Sequence, residues 1–198
     1  MKRLCVYCGA SSGAAPVYAE GARNLARELV GAGIALVYGG GSVGLMGVIA
    51  DEVMRLGGDV TGVIPKALLE QEAGHHALTR LHVVGDMHQR KAMMINLADG
   101  FIAMPGGFGT LEELFEVLTW SQLGLHEKPI GLLNTNGFFD GLIAFARHQV
   151  ETGFLRHAHA TLLMHAKHPA ELLQQFADFS PQRTEKILDR ISASELLR

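Results

Sequence analysis

The chain has 198 residues, enough for one domain with a substantial core, and its 48% apolar and 19% charged residues are the balance of a soluble globular protein. A net charge of −3 offers no basic footprint for nucleic acid, no run of about 18 apolar residues offers a membrane span, and two cysteines cannot build a disulfide scaffold. The N-terminus lacks the layout of a signal peptide, so the expected address is the cytoplasm.

Strand-like and helix-like patterns alternate along the chain. Leu4–Tyr7 reads as a strand, 8–13 as a small-residue loop and Pro16–Ala32 as a helix with Ala22, Leu25, Ala26 and Leu29 on one face. Ile34–Tyr38 is the next strand, followed by Gly39-Gly40-Gly41, a helix over Leu45–Leu56 and a strand over Asp59–Ile64 that Pro65 stops. Residues 66–78 read as a polar excursion, a lid or loop. Strand Leu81–Val84, helix Met87–Ala98, strand Gly100–Met104 and helix Leu111–Leu123 follow, and Pro129–Leu133, Gly137–Thr152 and Thr161–Met164 continue the alternation. Apolar strands separated by amphipathic helices predict an α/β fold: a doubly wound, three-layer sheet, mostly parallel, with helices on both faces. Residues 1–179 form one domain on this reading. Residues 180–198 form a charged tail in which Ile187, Leu188 and Ile191 are spaced for an amphipathic helix.

Open sheets of this kind bind ligands beyond the carboxyl ends of their strands. Three loops fall at such ends: 8–13, 39–44 and 105–110. The third is the most informative. Pro105-Gly106-Gly107-Phe108-Gly109-Thr110-Leu111-Glu112-Glu113 joins an apolar strand to a helix, which sets bare backbone N–H groups and a positive dipole end where an anion can sit. It also places a carboxylate, Glu113, at the start of that helix. The spacing of Thr110 and Glu113 reads equally as a helix capping box. Gly39-Gly40-Gly41-Ser42-Val43-Gly44 matches G-x-G-x-x-G, but no acid follows about 20 residues on, which disfavours a nicotinamide dinucleotide. Tight helix–sheet packing and a phosphate or ribose contact by Gly40 and Gly41 both remain open there.

Asp86 and Gln89 mark another helix start, so Arg90 and Lys91 lie near its first turn, where cations oppose the helix dipole. A bound phosphate reverses that sign; two solvated surface charges are the plainer reading. Cys5 and Cys8 have redox-pair spacing, but the first lies within a strand, so two small strand residues is the better reading. The ten histidines form no recognisable metal-ligand set and read as surface or loop residues.

The long glycine motif resembles the PGGxGTxxE signature of the LONELY GUY family of cytokinin riboside 5′-monophosphate phosphoribohydrolases, and Met87-His88-Gln89-Arg90-Lys91 is similar to that family's second motif. The resemblance runs from about Lys2 to Ala177 and includes the opening Cys5-Val6-Tyr7-Cys8-Gly9, the Gly39-Gly40-Gly41 loop and Leu118-Thr119-Trp120. Phe108 stands where tyrosine is frequent, and 73–79 is unlike plant members. The resemblance implies a Rossmann-like sheet, Arg90 and Glu113 as catalytic residues, and a nucleotide pocket lined by Glu72, Lys91, Gly107, Phe108, Gly109, Thr110, Leu111, Glu112, Glu113 and Thr119. It further implies a pocket at a homodimer interface and no metal or organic cofactor. The expected reaction is hydrolysis of the N-glycosidic bond of a nucleoside 5′-monophosphate, AMP or a form carrying an isopentenyl-type group, to free base and ribose 5-phosphate. A carrier of a nucleotide or of molybdenum cofactor, using the same cradle without catalysis, is the competing expectation.

Overall fold

The computed structural model describes residues 1–71, 74, 75 and 77–181. In chain order the elements are β1 (Arg3–Tyr7), α1 (Pro16–Gly31), β2 (Ala35–Tyr38), α2 (Gly44–Arg55), β3 (Val60–Pro65), α3 (Lys66–Gln71), β4 (Arg80–Val84) and α4 (Met87–Leu97). They continue with β5 (Gly100–Ala103), α5 (Phe108–Gln122), β6 (Ile130–Leu133), α6 (Asp140–Glu151), α7 (His157–Ala160), β7 (Leu163–Ala166) and α8 (Pro169–Ala177). The seven strands form one sheet, ordered β4-β3-β2-β1-β5-β6-β7, and every neighbouring pair is parallel. The expected doubly wound α/β sheet is therefore present.

The winding reverses at β1. Strands β2 to β4 step outward on one side of it, and β5 to β7 on the other. A loop leaving β1 and a loop leaving β5 then part in opposite directions and leave a crevice, the usual ligand site of such sheets. The sequence of β1 shows why it lies at the centre. Leu4, Val6 and Cys8 pack into the layer shared with α1, α2 and α8, while Cys5 and Tyr7 pack into the layer shared with α4 and α5. A strand buried on both faces carries no polar alternation. This alternation also sends the two cysteines into opposite layers, both as free thiols, in keeping with the strand reading over a redox pair.

Several boundaries differ from the sequence reading: β3 runs through Pro65, and the last strand covers Leu163–Ala166 and not Thr161–Met164. Residues 66–71 are helical, and Gly74 and His75 are pinned down: Gly74 pairs with Gly41, and the His75 N–H donates to the Gly40 carbonyl at 3.1 Å. Helix α6 starts at Asp140 and not at Gly137, because Asn136 and Gly137 both take positive φ, 54° and 71°, in a turn ahead of it. Helix α5 starts three residues early, at Phe108. His75 and His159 are buried, against the surface reading, and His75 meets Asp51 at 2.8 Å. Among the described residues no helix is long and apolar enough to cross a membrane. The tail from 182 onward lies outside the described residues.

Candidate active site

The early start of α5 decides the chemistry of the long glycine motif. Its N-cap is Gly107, with no side-chain cap, so Phe108, Gly109 and Thr110 occupy the first turn. Backbone N–H groups there have no acceptor within the helix and point forward into the crevice. Thr110 is buried in that first turn and is not the cap, so the capping-box reading of Thr110 and Glu113 does not hold. Glu113 falls in the second turn, not the first, and its carboxyl is free for another task.

The glycines of this motif do two different jobs. A Cβ on Gly106 would collide with Thr110 and sit 2.8 Å from the Gly9 backbone nitrogen, which itself donates to the Pro105 carbonyl at 3.0 Å. Gly106 is therefore what lets the loops after β1 and β5 close on each other. A Cβ on Gly107 or Gly109 would meet nothing within 4 Å. Their bare backbone borders open space in front of the helix. A cavity of about 450 Å³ opens beside this loop, lined by Ser11, Ser12, Tyr18, Phe138, Gly106 and Gly107 among others, and its lining stops short of Arg90 and Glu113. That volume is ordinary for a small-molecule site.

Arg90 and Glu113 come together from separate helices. Asp86 caps α4 by accepting the Gln89 N–H at 2.8 Å, as the sequence predicts, which puts Arg90 at the fourth helical position. The guanidinium Nη2 lies 3.8 Å from Glu113 Oε1, with side chains only 12% and 13% exposed. Room for it comes from Gly39, where any Cβ would strike the guanidinium. Its other contact is weak: Nη1 lies 3.6 Å from the Met87 sulfur. Arg90 Nε is buried and finds no acceptor among the described residues. A buried cationic donor left unmatched is costly.

Burial raises the Glu113 carboxyl from 4.5 to about 7, against the opposing pull of Arg90 and with a further push from Glu112. Burial and the Glu113 charge push up the ionisations of Cys5, Tyr7 and Cys8 on and after β1. The result is an acid poised near neutrality beside a fixed cation, the setting of many catalytic carboxylates.

The remaining candidates divide. Lys91 is taken up by two carboxylates of α5, at 2.5 Å from Glu112 and 3.1 Å from Glu116. Sequence reasoning gave Glu116 no partner; only the tertiary fold brings Lys91 to it. Leu111 is half-buried and Phe108 is 93% exposed at the helix start. Thr119 is exposed two turns beyond Glu112, on the same stripe of α5. The backbone of Gly40 and Gly41 is occupied by His75 and Gly74, and a Cβ on Gly40 would press on Ile64 at 3.1 Å, so packing accounts for that loop. Glu72 lies outside the described residues. Among those described, no group of three or more His, Cys, Asp or Glu is placed to hold a metal.

An all-parallel doubly wound sheet, with a glycine-rich helix start and a buried acid–cation pair at the reversal of its winding, defines an α/β protein of the nucleotide-site class. Residues 46–176 match the family described as possible lysine decarboxylase, and the chain belongs to that family. It is 46% identical over 190 residues to a probable cytokinin riboside 5′-monophosphate phosphoribohydrolase of Oryza sativa subsp. japonica, covering 96% of this chain and 78% of that one. It is 48% identical over 184 residues to a cytokinin riboside 5′-monophosphate phosphoribohydrolase of Arabidopsis thaliana, covering 93% and 85%. The resemblance drawn from the two motifs is thereby borne out. Among solved structures, the molybdenum cofactor binding protein of Rippkaea orientalis superposes with a TM-score of 0.68 at 21% identity, covering 90% of this chain and 97% of that one. The molybdenum cofactor carrier protein of Chlamydomonas reinhardtii gives 0.67 at 20%, covering 90% and 99%. At that identity the likeness is one of fold.

Proposed function

We propose that the protein hydrolyses the N-glycosidic bond of adenosine 5′-monophosphates, AMP and forms with an isopentenyl-type group on the exocyclic amine, to free base and ribose 5-phosphate. The observation that carries this reading is the buried Arg90–Glu113 pair, one to two turns along the helix whose N-terminus is bare. It agrees with the activity for which the plant relatives are named.

The amides of Phe108, Gly109 and Thr110 hold the 5′-phosphate at the front of α5, in the space left open by Gly107 and Gly109. At 1.5 Å per residue, Glu113 lies about 6 Å along the axis from the first-turn amides, close to the span from phosphorus to the anomeric carbon. The sugar then rests beside the carboxylate. As the bond to the base lengthens, positive charge grows on the ribosyl ring; ionised Glu113 stabilises it and takes a proton from the attacking water. The bond electrons leave with the base, which takes a proton from solvent water, Glu113 returns its own proton to solvent, and the attacking water's oxygen stays on the sugar. Arg90 binds ribose or phosphate through the terminal nitrogens of its guanidinium, and balances the charges gathered there. Holding a phosphate remote from the breaking bond supplies orientation, so nucleosides lacking it are poor substrates.

A decarboxylase that works through a Schiff base needs an amine held below its ordinary pKa. Lys91 is instead held above it by Glu112 and Glu116. Lys128 is lowered by burial, but it lies ahead of β6, at the opposite end of the sheet from the crevice. Two further parts of the reading concern assembly and address. The apolar side chains of Phe108, Phe115, Leu123 and Leu125 are exposed on and after α5, and a second copy of the chain covers them in a homodimer, which sedimentation measures. Two free buried thiols suit a reducing cytoplasm.

The test is a product assay over AMP, isopentenyl-AMP and the matching nucleosides. Free base is expected from the monophosphates and little from the nucleosides. Tight binding of AMP with no base released would instead make the protein a carrier.

A further inference from the structure

Lys91 follows Arg90 on α4, and Glu112 precedes Glu113 on α5. The pair of side chains that faces the substrate is thus flanked by a second pair one residue away on each helix. The Lys91 ammonium reaches both Glu112 and Glu116, which lie one helical turn apart, and its side chain is only 13% exposed. Two of its three N–H donors are taken. An ammonium so held has little freedom to follow a substrate. Deeper down, α4 and α5 share the core through Met94, Ile95, Leu114 and Val117; at the rim these ion pairs join them beside the longer Arg90–Glu113 contact.

We propose that Lys91 is a positioning residue, whose bridge to Glu112 and Glu116 sets α4 against α5 and thereby fixes the Arg90–Glu113 separation. This rests on the hydrolase reading above and assigns Lys91 a role within that site. The bridge acts on Glu113 in two ways. It sets where the guanidinium stands, and it offsets two carboxylates that would otherwise crowd the Glu113 charge. The groups facing Glu113 are Arg90 and Lys91 from α4, Cys5, Tyr7 and Cys8 from β1 and its end, and Glu112 and Glu116 on its own helix.

The experiment uses the full chain in three forms: wild type, Lys91→Met and Lys91→Met with Glu112→Gln and Glu116→Gln. The Glu113 carboxyl is followed by ¹³C NMR titration without ligand, and kcat and KM for AMP are measured across pH. With Lys91→Met, the Glu113 midpoint should rise by about half a unit or more. The kcat at neutral pH should fall about tenfold with KM changed less than about threefold. Removing the two carboxylates as well should bring the midpoint back toward wild type, and Lys91→Arg, which can still bridge both, should keep wild-type behaviour. If Lys91→Met leaves the midpoint where it was and raises KM about tenfold, Lys91 is a direct substrate ligand and the proposal is overturned; no change in either quantity overturns it as well. Should Lys91→Met not fold, Glu112→Gln with Glu116→Gln reads the same bridge, and an unchanged kcat there rejects it. A midpoint shift in a protein that releases no base would sink the hydrolase reading and leave the bridge standing.

Discussion

Two glycine loops leave the strands on either side of β1, and they have opposite reasons for being glycine. In the loop after β2, a Cβ at Gly39 would strike Arg90, one at Gly40 would press on Ile64 and Leu81, and one at Gly44 would strike the Ala10–Ser11 backbone. In the loop after β5, Gly107 and Gly109 face open space and neither takes positive φ. The first loop is glycine because the protein packs against it. Beyond Gly106, which the chain itself crowds, the second needs glycine at 107 and 109 only if something absent from the chain comes close. A motif match alone cannot separate these cases, since both loops follow a strand and precede a helix.

The largest expected effect lies just beyond the open loop. Glu113→Gln should cut turnover of AMP about 10²- to 10⁴-fold while AMP affinity stays within a few-fold, read by single-turnover kinetics and calorimetry. If affinity collapses and turnover per bound AMP persists, the loop and the acid serve the same end of the ligand and the comparison breaks.

The same substitution should stabilise the protein above neutral pH. Glu113 binds its proton more tightly folded, with a pKa of about 7 against 4.5 for the ordinary carboxyl. Between those values the native state holds more protons than the unfolded one, so stability is lost as pH rises from about 4.5 to 7 and the loss is complete above 7. Glu113→Gln removes that loss, which is about 3 kcal/mol at most. Denaturant melts should show no gain for the variant at pH 4 and a gain at pH 8. A gain already present at pH 4 would rule out ionisation of the buried carboxyl as its cause.

Next come the glycines themselves. Gly44→Ala should cost about 2 kcal/mol of stability, because φ there is 59° and the Ala10–Ser11 backbone lies in the way. Gly109→Ala should leave the melting temperature within a degree or so, yet raise KM for AMP about tenfold, equivalent to about 1.4 kcal/mol of lost binding. Equal thermal losses in both variants would erase the distinction between the loops.

Much of the fold was legible because most strands are short apolar runs between polar or glycine-rich turns, and helices such as α1, α2 and α8 are amphipathic. The Asp86 cap was legible too, being a local bond over three residues. What failed was either tertiary or hidden by composition. The start of α5 was missed because glycines at 107 and 109 read as loop, although the backbone between them is already helical. The hydrogen-bonded turn at Thr135–Gly137 before α6 was missed because helical periodicity begins before the helix does. That Gly39 makes room for Arg90, that Lys91 bridges two glutamates and that His75 is buried against Asp51 depend on parallel strands bringing distant segments side by side. No local pattern encodes such contacts. The pairing of Arg90 with Glu113 was itself reached through family resemblance and not through spacing.

The claim that α5 holds one nucleotide along its length is tested most directly by the structure of the Glu113→Gln protein soaked with AMP. The phosphate oxygens should lie within hydrogen-bond distance of the Phe108, Gly109 and Thr110 amides, with the anomeric carbon beside position 113 and the Arg90 guanidinium on ribose or phosphate. A phosphate seated away from those amides, or a sugar turned from position 113, would contradict it.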